Sequence, residues 1–273
     1  MPELPDLEVV AAFLHQRLAA AKIVEARVLK PIVVRDLTGM GFSERLAGQT
    51  VRSVSRRAKF LLFSLDSGDW IVVKPMLSGR LRYLAANRPL SGKPYVVLRF
   101  ADRSSLQYMD KDRMGKVYLT SSLGAVPTFA TLGPDALDPE LTEEAFAKRL
   151  RKRRGEIKGL LTNQAFVAGI GNAYADEILF CAGVYPFRKA GELTEDEGRR
   201  IYEAMRELLQ EATRTLFERV GADIHVEIRD FLQVHGRSGA PCPRCGATIS
   251  QITARRRLTN FCRTCQPGTM ITT

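Results

Sequence analysis

The chain begins Met-Pro-Glu, which places a cyclic amine and a carboxylate at its amino end. If the initiator methionine is removed, Pro2 presents a secondary amine as the first group of the chain. An α-amine titrates near about pH 8, so an appreciable unprotonated fraction exists at neutral pH, as a nitrogen nucleophile requires. Glu3 follows directly and places a carboxylate beside that amine. In isolation, however, a Met-Pro start is more often chance than chemistry.

Four of the five cysteines form two C-x2-C pairs near the carboxyl end. Cys242 and Cys245 make one pair, Cys262 and Cys265 the other, with sixteen residues between them. This spacing is typical of zinc ribbons, in which four thiolates close a structural site. Two disulfides are the alternative, but nothing else marks a secreted protein. The sequence predicts one structural Zn²⁺, and Cys181, in an apolar helical stretch, is expected in the core.

The segment between the two cysteine pairs contains three consecutive arginines, at 255–257. A two-stranded finger with arginines near its tip is well suited to grip phosphates. The alternative is a solvated hairpin whose arginines only keep it in solution.

The charge balance points to a polyanionic partner. The 273 residues include 41 Lys and Arg against 30 Asp and Glu, a net charge of +11. Nucleic acid is the simplest such partner, although a basic surface can also serve only solubility. A membrane surface is disfavoured, because the chain has neither a long apolar run nor the pattern of a signal peptide.

The elements that must position these groups change type along the chain. A helix is expected after Pro5, with apolar residues at three- and four-residue spacing. Short apolar strands separated by turn residues follow up to about residue 118 and favour an antiparallel β-sandwich. Beyond a linker rich in Gly and Pro, the pattern becomes helical. Thr142 is a candidate helix cap, and Thr194 with Glu197 forms a capping-box pattern.

The predicted fold class is α+β, with four parts. We expect an N-terminal catalytic β-sandwich domain over 1–120, a linker over 121–138, a helical domain over 139–232 and a zinc finger over 233–268. Within the helical part, "GIGN" at 169–172 is a glycine turn that enters a short helix ending at Gly183. Such a turn can offer backbone N–H groups to a phosphate, but it is equally compatible with a plain helix–turn–helix corner.

Taken in order, these motifs resemble the formamidopyrimidine-DNA glycosylase and endonuclease VIII family of base-excision repair enzymes. The resemblance covers almost the whole chain, and "PEL" at the start favours the formamidopyrimidine branch. The matching motifs are "PELP", "RRAKFLL", "LSGRL", "DRMG", "LGPDAL", "GIGNAYADEILFCAGVYP" and "VHGRSGAPCPRC".

The resemblance implies a helix–two-turn–helix fold and a bifunctional DNA glycosylase and apurinic/apyrimidinic lyase. Pro2 would be the nucleophile that forms a Schiff base with the sugar, and Glu3 the proton shuttle. Lys59 would bind the phosphate next to the lesion or assist at the sugar, with a solvating charge at a strand edge as the alternative, and the finger's Arg257 would belong to the catalytic set. The positions that would contact DNA are Lys74, Lys158, Gly171 and Asn172; for Lys158, one more charge in a basic run is a credible alternative.

A base that is to be excised must leave the stack, and other groups must fill its place. The resemblance assigns this void-filling role to Leu77, Arg113 and Met114 on loops of the β-domain. Arg113 could pair with the orphaned base while the two apolar side chains wedge the stack. Met76 lies one residue from the wedge position and could take the role of Leu77.

Three departures from the family pattern concern the lesion site. Asp6 replaces a usual Glu, so it would not reach the same hydrogen-bond partner, and Lys74 replaces a common His. Residues 216–233 lack the glycine pair of the segment that caps the flipped base in 8-oxoguanine enzymes, and they look shorter and more strand-like. The identity of the damaged base is therefore left open, although an oxidised or ring-opened base is expected.

Two rival functions remain at this level. A DNA- or RNA-binding zinc-finger protein with an inactive or abasic-site-specialised centre would bind without turnover. A small-molecule enzyme that uses an N-terminal proline as general base is disfavoured by the charge and the finger. We expect a monomer that acts on double-stranded DNA in the cytoplasm, at the nucleoid.

Overall fold

The computed structural model describes residues 1–254 and 257–268, and the backbone alone at Ala254 and Arg257. The chain forms two compact units. The first unit comprises residues 1–131 and 213–228, and the second comprises 132–212 and the chain from 229.

The first unit contains an N-terminal helix, α1 (Leu4–Leu18), a short helix, α2 (Phe42–Leu46), nine strands and the end of a long helix that begins in the second unit. The strands are β1 (Ile23–Val28), β2 (Val34–Asp36), β3 (Val51–Arg57), β4 (Phe60–Leu65), β5 (Trp70–Lys74), β6 (Gly79–Leu84), β7 (Val96–Phe100), β8 (Ser105–Asp110) and β9 (Lys116–Thr120). They form a four-stranded sheet in the order β1-β7-β8-β6 and a five-stranded sheet in the order β2-β9-β5-β4-β3. The pairing is antiparallel except between β2 and β9, which run parallel.

One hydrophobic core joins both sheets and α1. The apolar residues of α1 that recur at helical spacing, such as Leu7 and Leu14, are buried in it, as their periodicity predicts. Burying two sheet faces and a helix in one cluster supplies the main stabilisation of this unit.

The segment at 216–233 departs from the expectation that it is strand-like. Helix α6 (Glu195–Val220) continues through its first residues, and residues 221–233 form turns without a strand. Leu216, in the last turns of α6, and Ile224, in the turns after it, are both buried, and Ile224 joins the core of the first unit.

The second unit carries the remaining helices and a hairpin. They are α3 (Glu143–Arg151), α4 (Ile157–Leu161), α5 (Asn172–Ala182), most of α6, β10 (Ile249–Ala254) and β11 (Arg257–Cys262). Thr142 caps α3, its hydroxyl accepting from Ala145 N–H at 3.2 Å. Thr194 and Glu197 form the predicted reciprocal capping box at the start of α6.

Helix α5 ends where the glycine pattern predicts, since Gly183 adopts a left-handed φ of 68°. The expectation for Cys181 is wrong: its side chain is exposed. Its neighbours Leu179, Phe180 and Ala182 occupy the buried side of the last turn, which leaves Cys181 on the outer side.

Among the described residues, no helix is both long enough and apolar enough to cross a membrane.

Candidate active site

The amino end of the chain lies against a pocket of the first unit. Pro2 lines this pocket, and Glu3, directly before α1, is only 2% exposed. Most of the pocket wall is apolar, and its charged members are Asp6, Arg80 and Glu227. The apolar wall comprises Leu7, Val10, Leu61, Pro75, Leu81, Leu216, Val220, Ile224 and Val226.

Asp6 holds Glu3 at the start of α1. Its carboxylate accepts the backbone N–H of Glu3 at 2.8 Å, and the Glu3 side chain accepts from the Asp6 N–H in a reciprocal capping box. The shorter Asp6 therefore fixes the backbone beside the candidate nucleophile. An Asp in the first turn also suits the positive end of the helix.

Glu227 and Arg80 are pocket residues that the sequence did not identify. They form an ion pair with each other, and Glu227 lies 3.6 Å from the Met1 amine. The only available signal was that Glu227 falls in the segment 216–233, which departs from the family pattern. We call residues 221–228 the pocket segment.

Lys59 occupies the two-residue turn between β3 and β4. This hairpin is fastened to α1, because the Arg56 guanidinium bonds the Glu8 carboxylate at 2.6 Å and also donates to the carbonyl of Ala58. Pro2 lies two residues before the start of α1. The helix that follows Pro2 therefore also sets the position of the turn with Lys59.

Lys74 ends β5 next to the same hairpin. Its ammonium lies 5.1 Å from the ring centroid of Phe60 and donates to the hydroxyl of Thr128 at 3.2 Å. Partial burial lowers the pKa of Lys74. Lys74 thus contributes a positive charge packed on the residue that follows Lys59.

The three void-filling candidates lie on two neighbouring loops and are all exposed. Leu77 is 50% exposed and Met114 46% exposed, so both apolar side chains are accessible to a binding partner. Met76, the alternative to Leu77, is partly buried and has a positive φ of 54°. This geometry favours Leu77 as the wedge.

Asp110 joins these two loops. It is 1% exposed and accepts from the Ser78 hydroxyl at 2.7 Å and from the Gly115 N–H at 2.7 Å. Gly79 and Gly115 allow this approach, since a Cβ on either would meet the Tyr108 hydroxyl at 2.5 Å or less. Residues 75–78, between β5 and β6, are called the wedge loop below.

In the second unit, the glycine turn before α5 is braced by Gln164. The Gln164 amide oxygen accepts from Gly169 N–H at 3.0 Å, and the amide nitrogen donates to the carbonyl of Ile170 at 2.8 Å. Gly169 has a positive φ of 102°, a backbone conformation that favours glycine. Gly171 then caps α5, and Asn172 is its first residue. The Asn172 amide donates to the carbonyl of Leu258 in β11 at 2.7 Å.

Lys158 reaches the same carbonyl. Its ammonium donates to Leu258 O at 2.7 Å and to the Thr259 hydroxyl at 2.8 Å, and it pairs with Asp176 at 2.6 Å. Only 5% of Lys158 is exposed. Lys158 and Asn172 therefore both hold the strand of the finger immediately after Arg257. The side chain of Arg257, and residues 255 and 256 entirely, lie outside the described residues.

Two carboxylates of α5, which the sequence did not single out, bond residues 233–235, the segment that leads into the zinc finger. Glu177 accepts the backbone N–H groups of Gln233, Val234 and His235, each at 2.8 Å. Burial raises the pKa of Glu177, and the three N–H donors oppose that rise. Asp176 bonds the His235 ring at 2.8 Å. Adjacent carboxylates in an apolar helix were the signal that could have identified them.

The four cysteine sulfurs converge as the spacing predicts. All lie within 4.8 Å of one another, with 3.8 Å between those of Cys242 and Cys265 and 3.5 Å between those of Cys245 and Cys262. Zn–S bonds of about 2.3 Å in a tetrahedron require sulfurs roughly 3.8 Å apart. The donor set therefore fits one structural zinc with every coordination position filled by protein.

In comparisons with known proteins, three family models match successive parts of this chain. Residues 1–117 match the formamidopyrimidine-DNA glycosylase N-terminal domain, residues 132–220 its H2TH domain, and residues 239–268 the zinc finger found in FPG and IleRS.

Similar proteins extend over nearly the full length. The formamidopyrimidine-DNA glycosylase of Pelotomaculum thermopropionicum is 37% identical over 97% of this chain and 99% of its own, and that of Geobacillus kaustophilus is 35% identical over 97% and 100%. Two crystal structures of Lactococcus lactis Fpg each give a TM-score of 0.88 at 31% identity, covering 97% of this chain and all of theirs. One contains abasic-site DNA and the other DNA with Fapy-dG.

Proposed function

The chain belongs to the formamidopyrimidine-DNA glycosylase family, and on that basis we propose that Pro2 and Glu3 perform both chemical steps of base-excision repair in it. The protein is a DNA glycosylase with apurinic/apyrimidinic lyase activity that works through a Schiff base. The assignment of these steps to particular residues of this chain is our proposal.

The Pro2 amine, freed by loss of Met1, attacks C1′ of the damaged nucleotide. The C1′–N glycosidic bond breaks, and the base leaves with a proton that Glu3 relays. The Pro2 nitrogen then loses its proton, the C1′–O4′ bond of the sugar ring breaks, and O4′ takes up a proton, which together form the iminium. The iminium makes the C2′ proton acidic. Its removal forms the C2′–C3′ double bond and expels the 3′ phosphate, which cleaves the strand.

The observation that supports this assignment is the position of Pro2 on the pocket wall, with the buried carboxylate of Glu3 beside it. An apolar wall with few charged groups is typical of a site that takes up a flipped base. Asp6 belongs to α1, and the hairpin of Lys59 is bonded to α1 through Arg56 and Glu8, so one rigid element positions both supporting groups.

The substrate we propose is duplex DNA with an oxidised or ring-opened base, or an abasic site. Relatives of this chain bind abasic-site and Fapy-dG DNA. Leu77, Arg113 and Met114 would fill the space left by the base. Lys59, Lys74, Asn172, Gly171, Lys158 and Arg257 would contact or position the phosphates, and the net charge of +11 favours such contacts. We infer that the protein acts at the nucleoid.

Borohydride trapping tests the nucleophile. The mature protein is incubated with duplexes that carry 8-oxoguanine, a ring-opened purine, an oxidised pyrimidine or an abasic site, and the Schiff base is reduced to a stable link. We expect the linked peptide to start at Pro2, and Pro2→Gly to lower the trapping yield about 10-fold or more, because a residual primary amine reacts less well. Pro5→Ala is the control for loss of a nearby proline. A link that maps to Lys59, or an unchanged yield in Pro2→Gly, contradicts the assignment.

A further inference from the structure

Arg80, the second residue of β6, contacts two different parts of the first unit at once. Its Nη1 donates to the carbonyl of Leu77 at 3.1 Å and to that of Gly79 at 2.8 Å. Its Nη2 pairs with the carboxylate of Glu227. One guanidinium therefore touches the wedge loop on one side and the pocket segment on the other.

The acidic partner, Glu227, is itself part of the pocket lined by Pro2, which we call the base pocket because we propose that it receives the flipped base. Glu227 lines it together with Pro2 and Val226. The side chains of Arg80 and Glu227 are only 19% and 27% exposed, so their pairing is partly shielded from water. Shielding makes the ion pair stronger and more directional than a pair on the open surface.

A second arginine of β6 offers a natural comparison. Arg82 contacts the ring of His225, which also belongs to the pocket segment, and donates to Ser91 Oγ at 2.8 Å. Burial, and then the charge of Arg82, lower the pKa of His225, and Asp223 opposes that shift. Both arginines therefore hold the same segment, but of their described hydrogen bonds only those of Arg80 reach the wedge loop.

We propose that Arg80 is a positioning residue that couples the wedge loop to the base pocket. The proposal rests on the wedge role assigned to Leu77 above. Excision requires the base to be in the pocket while another group fills its place in the stack. A guanidinium is planar and offers five N–H donors in fixed directions, so it can hold the Leu77 carbonyl and the Glu227 carboxylate at a set separation. Arg80 thereby aligns Leu77 with the pocket in which the base is received.

A double-mutant cycle tests the coupling. The variants are Arg80→Met, Leu77→Ala, their combination, and Arg82→Met as the matched control, and the readout is single-turnover excision from a duplex with a paired lesion. We expect Arg80→Met and Leu77→Ala each to slow excision about 10-fold, since small displacements of positioning groups have effects of this size. Because Arg80 acts through Leu77, the double variant should be no slower than Leu77→Ala alone.

The outcomes separate this coupling from the wedge assignment on which it rests. If Leu77→Ala excises as fast as the wild type, the wedge role fails and the coupling fails with it. If Leu77→Ala is slow but Arg80→Met is fast, or if the two effects multiply in the double variant, only the coupling is overturned. An equal loss in Arg82→Met also overturns it, because general loosening of the pocket segment would then account for the effect.

A second substrate gives a readout that a general structural defect would not change. In a duplex whose lesion has no opposite base, the lesion is already unstacked, so the wedge contributes less. We expect Arg80→Met to approach the wild-type rate on this substrate, and an equal loss on both substrates overturns the proposal. If Arg80→Met fails to fold, Glu227→Gln replaces it in the same cycle and should show the same non-additivity with Leu77→Ala.

Discussion

The Ser78 hydroxyl donates to the Asp110 carboxylate at 2.7 Å, and this bond crosses between the two loops that carry the residues proposed to fill the void. Asp110 also accepts the Gly115 N–H at 2.7 Å, and Ser78 in turn accepts the N–H of Asp112 at 2.8 Å. The exposed Leu77 and Met114 are thus presented by loops whose backbones share one buried carboxylate. Exposed apolar side chains can insert into a base stack only if their loops keep a defined shape.

We therefore expect Asp110→Asn to weaken the hydrogen bonds that connect these two loops. The amide oxygen can still accept the Gly115 N–H, but the amide nitrogen then faces Ser78 Oγ, so the hydrogen bond that the Ser78 hydroxyl donates to a charged acceptor is lost, at a cost of about 1.5–3 kcal/mol. Unfolding should occur at lower temperature, and excision of a paired lesion should slow. Calorimetry and single-turnover kinetics measure the two effects.

Asp102→Asn is the matched control for that substitution. Asp102 also accepts two hydrogen bonds, both from Ser104, but in the turn before β8, at the opposite end of the strand from Asp110. It should leave excision unchanged. If the excision rates of both variants fall equally, general destabilisation accounts for the loss, and the hydrogen bonds of Asp110 between the two loops do not.

The hairpin with Lys59 provides a second prediction. Arg56 is 7% exposed and fastens this hairpin to α1 through Glu8. Arg56→Met keeps much of the apolar stem but loses this bond, so Lys59 should lose its fixed position relative to Pro2. We expect excision to slow about 10-fold, an effect typical of small misplacements near a reacting centre.

Arg52→Met, on the same strand, is the control for Arg56. Its guanidinium is exposed and donates to the carbonyl of Asp66, away from α1. Single-turnover excision by the two variants should differ clearly; equal rates would mean that the bond to Glu8 does not position Lys59.

Local sequence patterns predicted the features that depend on neighbouring residues. The caps at Thr142 and Thr194, the end of α5 at Gly183 and the cysteine cluster follow from short-range rules of hydrogen bonding and metal ligation. Cys181 was misassigned because an apolar stretch alone does not say which side of a final helical turn faces the core.

Contacts between distant residues could not be derived in this way. Asp110 and Ser78 are 32 positions apart, and Arg80 and Glu227 are 147 apart. Such pairs exist only after the chain has folded, and no periodicity encodes them. The family resemblance located the functional motifs, but it did not indicate which side chains would hold those motifs in place.

Zinc removal gives a third prediction. Cys262→Ser removes one of the four thiolate ligands, so we expect the zinc content to fall from about one ion per chain towards zero. Structural zinc binding supplies folding free energy, so the finger should lose its ordered structure as the zinc is lost. DNA affinity should drop about 10-fold or more with loss of the ordered finger. Elemental analysis and a binding titration measure both quantities.

Cys181→Ser is the matched control, since this exposed cysteine lies outside the four-sulfur cluster. It should retain zinc and affinity. Full zinc content in Cys262→Ser would show that the cluster does not need its fourth thiolate, contrary to the assignment.

Lys158 allows a direct phosphate contact to be distinguished from a positioning role. Its ammonium is buried and bonds Leu258 O, Thr259 and Asp176. Lys158→Met should therefore destabilise the second unit by about 3 kcal/mol, because it removes the ammonium that pairs with the buried Asp176 and leaves that carboxylate only its bonds to His235 and Asn260. DNA affinity should fall with it, since β11 carries Arg257.

The second substitution Asp176→Asn decides between the two roles. It removes the uncompensated charge while an amide oxygen can still accept from Asn260 N–H, which bonds Asp176 at 3.1 Å. If Lys158 positions the finger, Lys158→Met/Asp176→Asn should recover most of the stability and much of the DNA affinity. If Lys158 binds a phosphate itself, stability should recover while affinity stays low, and the slope of affinity against salt should be smaller by about one ion. Thermal unfolding and binding titrations at several salt concentrations therefore assign the role of Lys158 from two independent quantities.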